Sequence, residues 1–215
     1  MKTWNDLKIF VDRRFLVNSY LIIKNNECLL IDPSLNDEPI KSYITEHHLK
    51  LVGIVLTHGH YDHIGNTFNL AKFYHVDVYL HHNEKPIVEK YHYGDAMQVK
   101  VNIDHNSIKY FDSSTLIIGN FAFDVLLARG HTPGGIILKY KNYVFSGDTI
   151  FYDSIGRTDL MLGNFNDMNQ SLKLFLSHYN EDDWIFPGHG ANSQLTEIKK
   201  SNPFLKDIIN KTDNE

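Results

Sequence analysis

One cysteine, Cys28, stands in a chain of 215 residues. No disulfide can close within the chain. That sets aside the cross-linked secreted scaffolds and points to a reducing, cytoplasmic compartment. Cys28 lies in an apolar run and reads as a small buried hydrophobe. The sequence also lacks any apolar stretch near the roughly 18 residues that can span a bilayer, so no membrane segment is expected. Residues 1–14 lack the apolar centre of a signal peptide. Lys and Arg are scattered without a basic run, and the net charge is −5, so nucleic acid is not an expected partner. No repeat and no low-complexity linker divides the chain, and residues 1–215 are expected to form a single domain.

What is present is enough for a core: 42% of residues are hydrophobic and 13% aromatic. Periodicity and turn signals predict strands over 7–11, 19–23, 27–31, 51–56, 77–80, 116–118, 121–128, 136–140, 143–146 and 184–187. They predict helices over 39–48, 64–73, 166–178 and 194–199. Blocks of strands separated by a few helices fit two sheets packed face to face with helices outside. Residues 84–107 read as a long, irregular, polar connection, either a substrate lid or a plain surface loop.

The densest chemistry is His58-Gly59-His60-Tyr61-Asp62-His63, directly after an apolar run. Imidazole nitrogen occurs three times and carboxylate oxygen once, all suited to a divalent ion. In an extended or looped segment His58 and His60, two apart, point to the same side. Asp62 and His63 are adjacent and point apart, which places them better for a different ion. The motif therefore suggests two metals side by side. Three further candidates follow strand-like runs at turn signals: His131 in Gly130-His131-Thr132-Pro133-Gly134, Asp148 in Gly147-Asp148-Thr149, and His189 in Pro187-Gly188-His189-Gly190. Asp32, which ends an apolar run before Pro33, is either an outer partner of a ligand histidine or a turn residue. The remaining histidines match no ligand motif and read as surface or satisfied side chains.

These motifs, H-x-H-x-D-H, H-T-P-G, G-D-T and P-G-H-G, together with Asp32-Pro33 and Asn202-Pro203-Phe204-Leu205, resemble those of the metallo-β-lactamase-fold hydrolases along nearly the whole chain. Ser154-Ile155-Gly156-Arg157-Thr158-Asp159 resembles the small glyoxalase II-like branch. The resemblance implies an α+β fold, a four-layer αββα sandwich of two mixed sheets with helices outside. It implies two divalent ions per chain, zinc first, with iron or manganese as alternatives. His58, His60 and His131 would hold one ion, Asp62, His63 and His189 the other, and Asp148 both. Asp62 would also orient a metal-bridging hydroxide. Tyr152 and Arg157 lie where a substrate would approach. Asn202 to Leu205 is expected to act as a structural plug.

The implied activity is hydrolysis of a small-molecule thioester of the S-D-lactoylglutathione kind. No general acid stands beside the ligands, and a thiol can leave as thiolate near its ordinary pKa of about 8.5. Only 26 residues follow His189. The helical extension with which full-length glyoxalase II enzymes grip glutathione is therefore not expected. Two alternatives share the fold. One is a persulfide dioxygenase-like enzyme with one iron on two His and one Asp. The other is a lactone or β-lactam hydrolase.

Overall fold

The computed structural model describes residues 4–90, 93–94 and 99–212. Two six-stranded sheets face each other. The first runs β1 (Leu7–Val11), β2 (Asn18–Lys24), β3 (Glu27–Ile31), β4 (Lys50–Val55), β5 (Val78–His81) and β8 (Ile108–Phe111). Its first three strands are antiparallel, and the pairs from β3 to β8 are parallel. The second runs β14 (Ser193–Gln194), β13 (Trp184–Pro187), β12 (Tyr143–Gly147), β11 (Ile136–Tyr140), β10 (Phe121–Leu127) and β9 (Thr115–Ile118). Here only β12 and β13 pair in parallel. A two-stranded ribbon, β6 (Tyr93–Gly94) with β7 (Val99–Lys100), stands apart. Both main sheets are mixed, as expected.

Strand alternation sorts the apolar side chains into layers. Tyr20, Ile22, Leu29 and Ile31 point between the sheets, where they meet Phe121, Phe123, Leu138, Phe145 and Phe186. Leu21, Cys28 and Leu30 point outward, under Ile40 and Ile44 of α1 (Asp37–Glu46) and Phe68, Leu70 and Ala71 of α3 (Thr67–Tyr74). On the far side α5 (Phe165–His178) lays Met168, Leu172 and Phe175 on Ile137, Val144 and Ile185, beside α6 (Leu195–Ser201) and α7 (Pro203–Thr212). Those three α5 positions follow the helical period of one buried stripe. Asn164 caps the helix by accepting the Asn166 and Asp167 N–H groups. The result is the four-layer αββα sandwich. Both faces of the central strands are covered, which explains why so many of them read as continuous apolar runs, whereas β9 and β10 expose every other residue or nearly so. No helix among the described residues is long and apolar enough to cross a membrane.

Several expectations need correction. The helix expected over 64–73 is two helices, α2 (Tyr61–Ile64) and α3. Gly65 separates them at φ 38°, against the Ser34 carbonyl, where a Cβ would overlap. Residues 84–107 are not irregular throughout: α4 (Lys85–Lys90) buries Ile87 and Val88. Part of the segment weighed as a lid, residues 91–92 and 95–98, lies outside the described residues. Strand β8 was not expected, because four residues at a sheet edge give little periodic signal. Pro203 to Leu205 open α7, directly after Asn202, and both Asn202 and Leu205 are fully buried. The Asn202 side chain accepts from the Phe204 and Leu205 N–H groups and donates to the Phe151 and Ser154 carbonyls.

Candidate metal centre

The two sheets deliver their strand ends to one edge of the sandwich. His58 and His60 follow β4, and Asp62 and His63 sit on α2. His131 follows β10, Asp148 follows β12, and His189 follows β13. Ligand-type atoms from these seven residues form three overlapping groups: His58, His60 and His131; His58, His63 and Asp148; and Asp62, His63 and His189. Within each group the atoms lie within 4.8 Å of one another. His60 Nδ1 is 2.9 Å from His131 Nε2. Asp148 faces both sides, with Oδ1 3.2 Å from His63 Nε2 and Oδ2 3.6 Å from His131 Nε2 and 3.5 Å from His189 Nε2. His189 Nε2 is also 3.5 Å from Asp62 Oδ2.

Further groups hold these rings by their other nitrogen. Asp32 Oδ2 lies 2.9 Å from His63 Nδ1 and accepts the Thr57 hydroxyl, while Oδ1 accepts the Thr57 N–H at 2.8 Å. Of the two readings of Asp32, the geometry selects the outer partner. His131 Nδ1 lies 2.8 Å from the Arg157 carbonyl, and His58 Nδ1 lies 3.1 Å from Thr57 Oγ1. The loop of His189 is pinned to β2: the Asn18 side chain donates to the Pro187 and Gly190 carbonyls, and its N–H to that of Gly188.

The model of the metallo-beta-lactamase superfamily matches residues 12–189. The chain belongs to the metallo-beta-lactamase superfamily. It is 33% identical over 193 residues to "Probable metallo-hydrolase YqgX" of Bacillus subtilis, covering 87% of this chain and 92% of that one. It is 32% identical over 186 residues to "Hydroxyacylglutathione hydrolase GloC" of Haemophilus influenzae, covering 82% and 86%. Among solved structures, the BLEG-1 B3 metallo-beta-lactamase superposes with a TM-score of 0.82 at 27% identity, over 93% of this chain and 99% of that one. TTHA1623 in a di-iron-bound form superposes with a TM-score of 0.80 at 28% identity, over 92% and 100%. Membership makes the chain a metal-dependent hydrolase in class.

The superfamily's divalent ions can be tested against the residues present. His58 Nε2 is buried and has no hydrogen-bond partner, and the buried His63 Nε2 and Asp148 Oδ1 have only each other, 3.2 Å apart without hydrogen-bond geometry. All three belong to one of the ligand groups. Buried polar atoms left unpaired cost about 1–3 kcal/mol each, and a cation among them removes that cost. Imidazole nitrogen and carboxylate oxygen are the donors zinc, iron and manganese accept. The residues fit the group.

Charge within the polypeptide is arranged to receive it. Burial drives His58 well below the usual histidine range, helped by the neighbouring His63 and His60. Burial and His131 bring His60 down to about 4. Both rings are neutral at pH 7, the form that binds an ion. Burial also disfavours protonated His63, but the Asp148 and Asp32 carboxylates outweigh it and hold the ring well above its ordinary value. His189 follows the same pattern: burial opposes charge, yet Asp148 and Asp62 lift it to about 9. Burial alone would raise Asp148, but His63 and His189 keep it well below the usual carboxylate range.

A cleft of about 830 Å³ opens over these residues. His60, Asp62, His131, Asp148 and His189 line its floor, and Ile87, Phe151, Tyr152, Arg157 and Met161 its walls. Tyr152 and Arg157 thus line this cleft. Arg157 is already engaged, however, through Nε and Nη2 to the two Asp159 oxygens at 2.9 and 3.1 Å. One buried carboxylate escaped the sequence reading. Glu84 follows β5 and accepts the N–H groups of Gly59 and Gly134, both at 2.7 Å. A lone glutamate after His81-His82 gives no signal of that role.

Proposed function

We propose that this superfamily member is a dinuclear metal-dependent thioester hydrolase of the glyoxalase II type. Its substrate would be S-D-lactoylglutathione or a related acyl-thiol. The observation that carries the reading is Asp148, whose carboxylate stands between two imidazole sets and faces each. His58, His60 and His131 would hold one ion, Asp62, His63 and His189 the second, and Asp148 both, with zinc first and iron or manganese as alternatives. A bound pair of ions would lower the pKa of water to about 7 and polarise a substrate carbonyl. The di-iron form of TTHA1623 supports two ions, and the likeness to GloC supports the thioester.

The chain's own residues complete the chemistry. Asp62 lies in the cleft floor beside His189. Burial works against its charge, but His189 and His63 keep it ionised, so it can orient or accept a proton there. A thioester asks no proton donor of the protein, because a thiol of pKa about 8.5 departs as thiolate. Tyr152 stands at the mouth, where a substrate arm would pass. Arg157 would reach such an arm only by leaving Asp159.

The test is an activity panel run beside a metal count. Purified protein should carry about two ions per chain and hydrolyse S-D-lactoylglutathione. One iron per chain with oxygen consumption on glutathione persulfide would replace the hydrolase with a dioxygenase. Turnover of lactones or β-lactams with no thioester cleavage would move the substrate and leave the site.

A further inference from the structure

Glu84 has no exposed surface and belongs to none of the ligand groups. Its two oxygens go to two different loops. Oε2 accepts the N–H of Gly59, which lies between His58 and His60, and Oε1 accepts the N–H of Gly134, three residues after His131. The first loop leaves the β1–β8 sheet and the second leaves the β9–β14 sheet. One carboxylate therefore ties the two sheets together beside the centre. The loops are seated on it at backbone contact. A Cβ on Gly59 would lie 3.1 Å from Glu84 Oε2, and one on Gly134 only 2.6 Å from the Glu84 backbone nitrogen. The gap that this bridge spans is the one across which His60 Nδ1 meets His131 Nε2 at 2.9 Å. Among the described residues, neither α2, which carries Asp62, nor the loop of His189 donates to it.

We propose that Glu84 is a positioning residue that fixes the His58–His60 loop against the His131 loop, and so sets ion affinity in that half of the centre alone. The inference rests on the ligand reading above and is independent of the substrate. The chemistry requires a carboxylate, since both partners are N–H donors and only an ionised acid offers two acceptors with no donor. A glutamine would turn an NH₂ group toward one of the two amides.

Zinc alone is the probe, titrated against a chromophoric chelator. The wild type should bind two ions, which checks the ligand reading itself. In Glu84→Gln one site should weaken about 10–100-fold, the usual effect of removing a group that supports a ligand, while the other keeps its affinity. Added to His131→Ala, which has already crippled the same half, Glu84→Gln should change the remaining site no further. Two unchanged sites in Glu84→Gln, or equal weakening of both, would overturn the proposal. Glu84→Asp covers the case in which the glutamine variant does not fold. It keeps the charge but is one methylene too short to reach both amides, so it should show the same one-sided loss. Wild-type affinity there overturns the bridge. Hydrogen exchange in the wild type needs no variant: the Gly59 and Gly134 amides should both exchange slowly, and loop-like exchange of either sinks the proposal.

Discussion

Asp148 on the cleft floor and His58 and His63 behind it expose 9%, 2% and 0% of their surface, whereas Tyr152 and Met161 on the rim expose 39% and 56%. The floor is over-determined. Its imidazoles are gripped from behind by Asp32, Thr57 and the Arg157 carbonyl, and their loops by Glu84 and Asn18. The rim is held through its backbone, by Asn202 at the Phe151 and Ser154 carbonyls, while its Arg157 and Asp159 side chains pair in solvent, where an ion pair contributes little. Reactive groups must hold their geometry to fractions of an ångström, so they sit on strand ends within a packed frame. Groups that select a substrate can sit on an exposed loop and vary.

The contrast can be broken in order of expected effect. His60→Ala or Asp148→Ala removes a direct ligand and should lower kcat/KM by at least about 10²-fold with loss of bound metal; near-normal turnover with full metal content would show that the floor is not the centre. Asp32→Ala comes next, because His63 and Thr57 both lean on that carboxylate. Metal affinity should fall by about 10–100-fold, and an unchanged dissociation constant would reduce Asp32 to a turn residue.

The third outcome concerns protons. His189 of the polypeptide alone is raised to about 9, so at pH 7 it carries a proton that an entering ion must displace. Its folded value lies above the ordinary 6.5. The stability it lends the metal-free protein is therefore complete below about pH 6.5 and fades as pH rises through about 9. Zinc binding should release protons at pH 7 and tighten as pH climbs toward 9. Titration calorimetry in buffers of different ionisation enthalpy reads the release directly, and a buffer-independent enthalpy would contradict it. The smallest effect belongs to the rim. Arg157→Ala should shift KM about threefold or less and leave kcat and metal content alone, since its partner is already Asp159 and both are solvated. A hundredfold rise in KM would mean that Arg157 leaves Asp159 for the substrate, and the rim would then be as specified as the floor.

Much of the fold was legible because the central strands are buried on both faces. Strands such as β2, β3 and β12 therefore announced themselves as apolar runs ending at turns. The seven candidate ligands were legible for a related reason: each comes after a strand end and is of ligand type. What escaped was short or contingent. The four residues of β8 are a strand only because β5 offers them an edge. The break at Gly65 depends on where Ser34 brings its carbonyl. The start of α7 depends on carbonyls of Phe151 and Ser154 that reach Asn202 from far along the chain.

By itself the sequence determined the chemical types on the floor and their attachment to strand ends, because apolar runs, turn signals and ligand spacing are local properties of a chain. The tertiary structure alone decided which carboxylates support them. Asp32 reaches His63 across 31 positions, and Glu84 reaches Gly59 across 25 and Gly134 across 50. An acid's oxygens accept from whichever donors folding brings near, and nothing in the residue's own neighbourhood of the chain says which those will be.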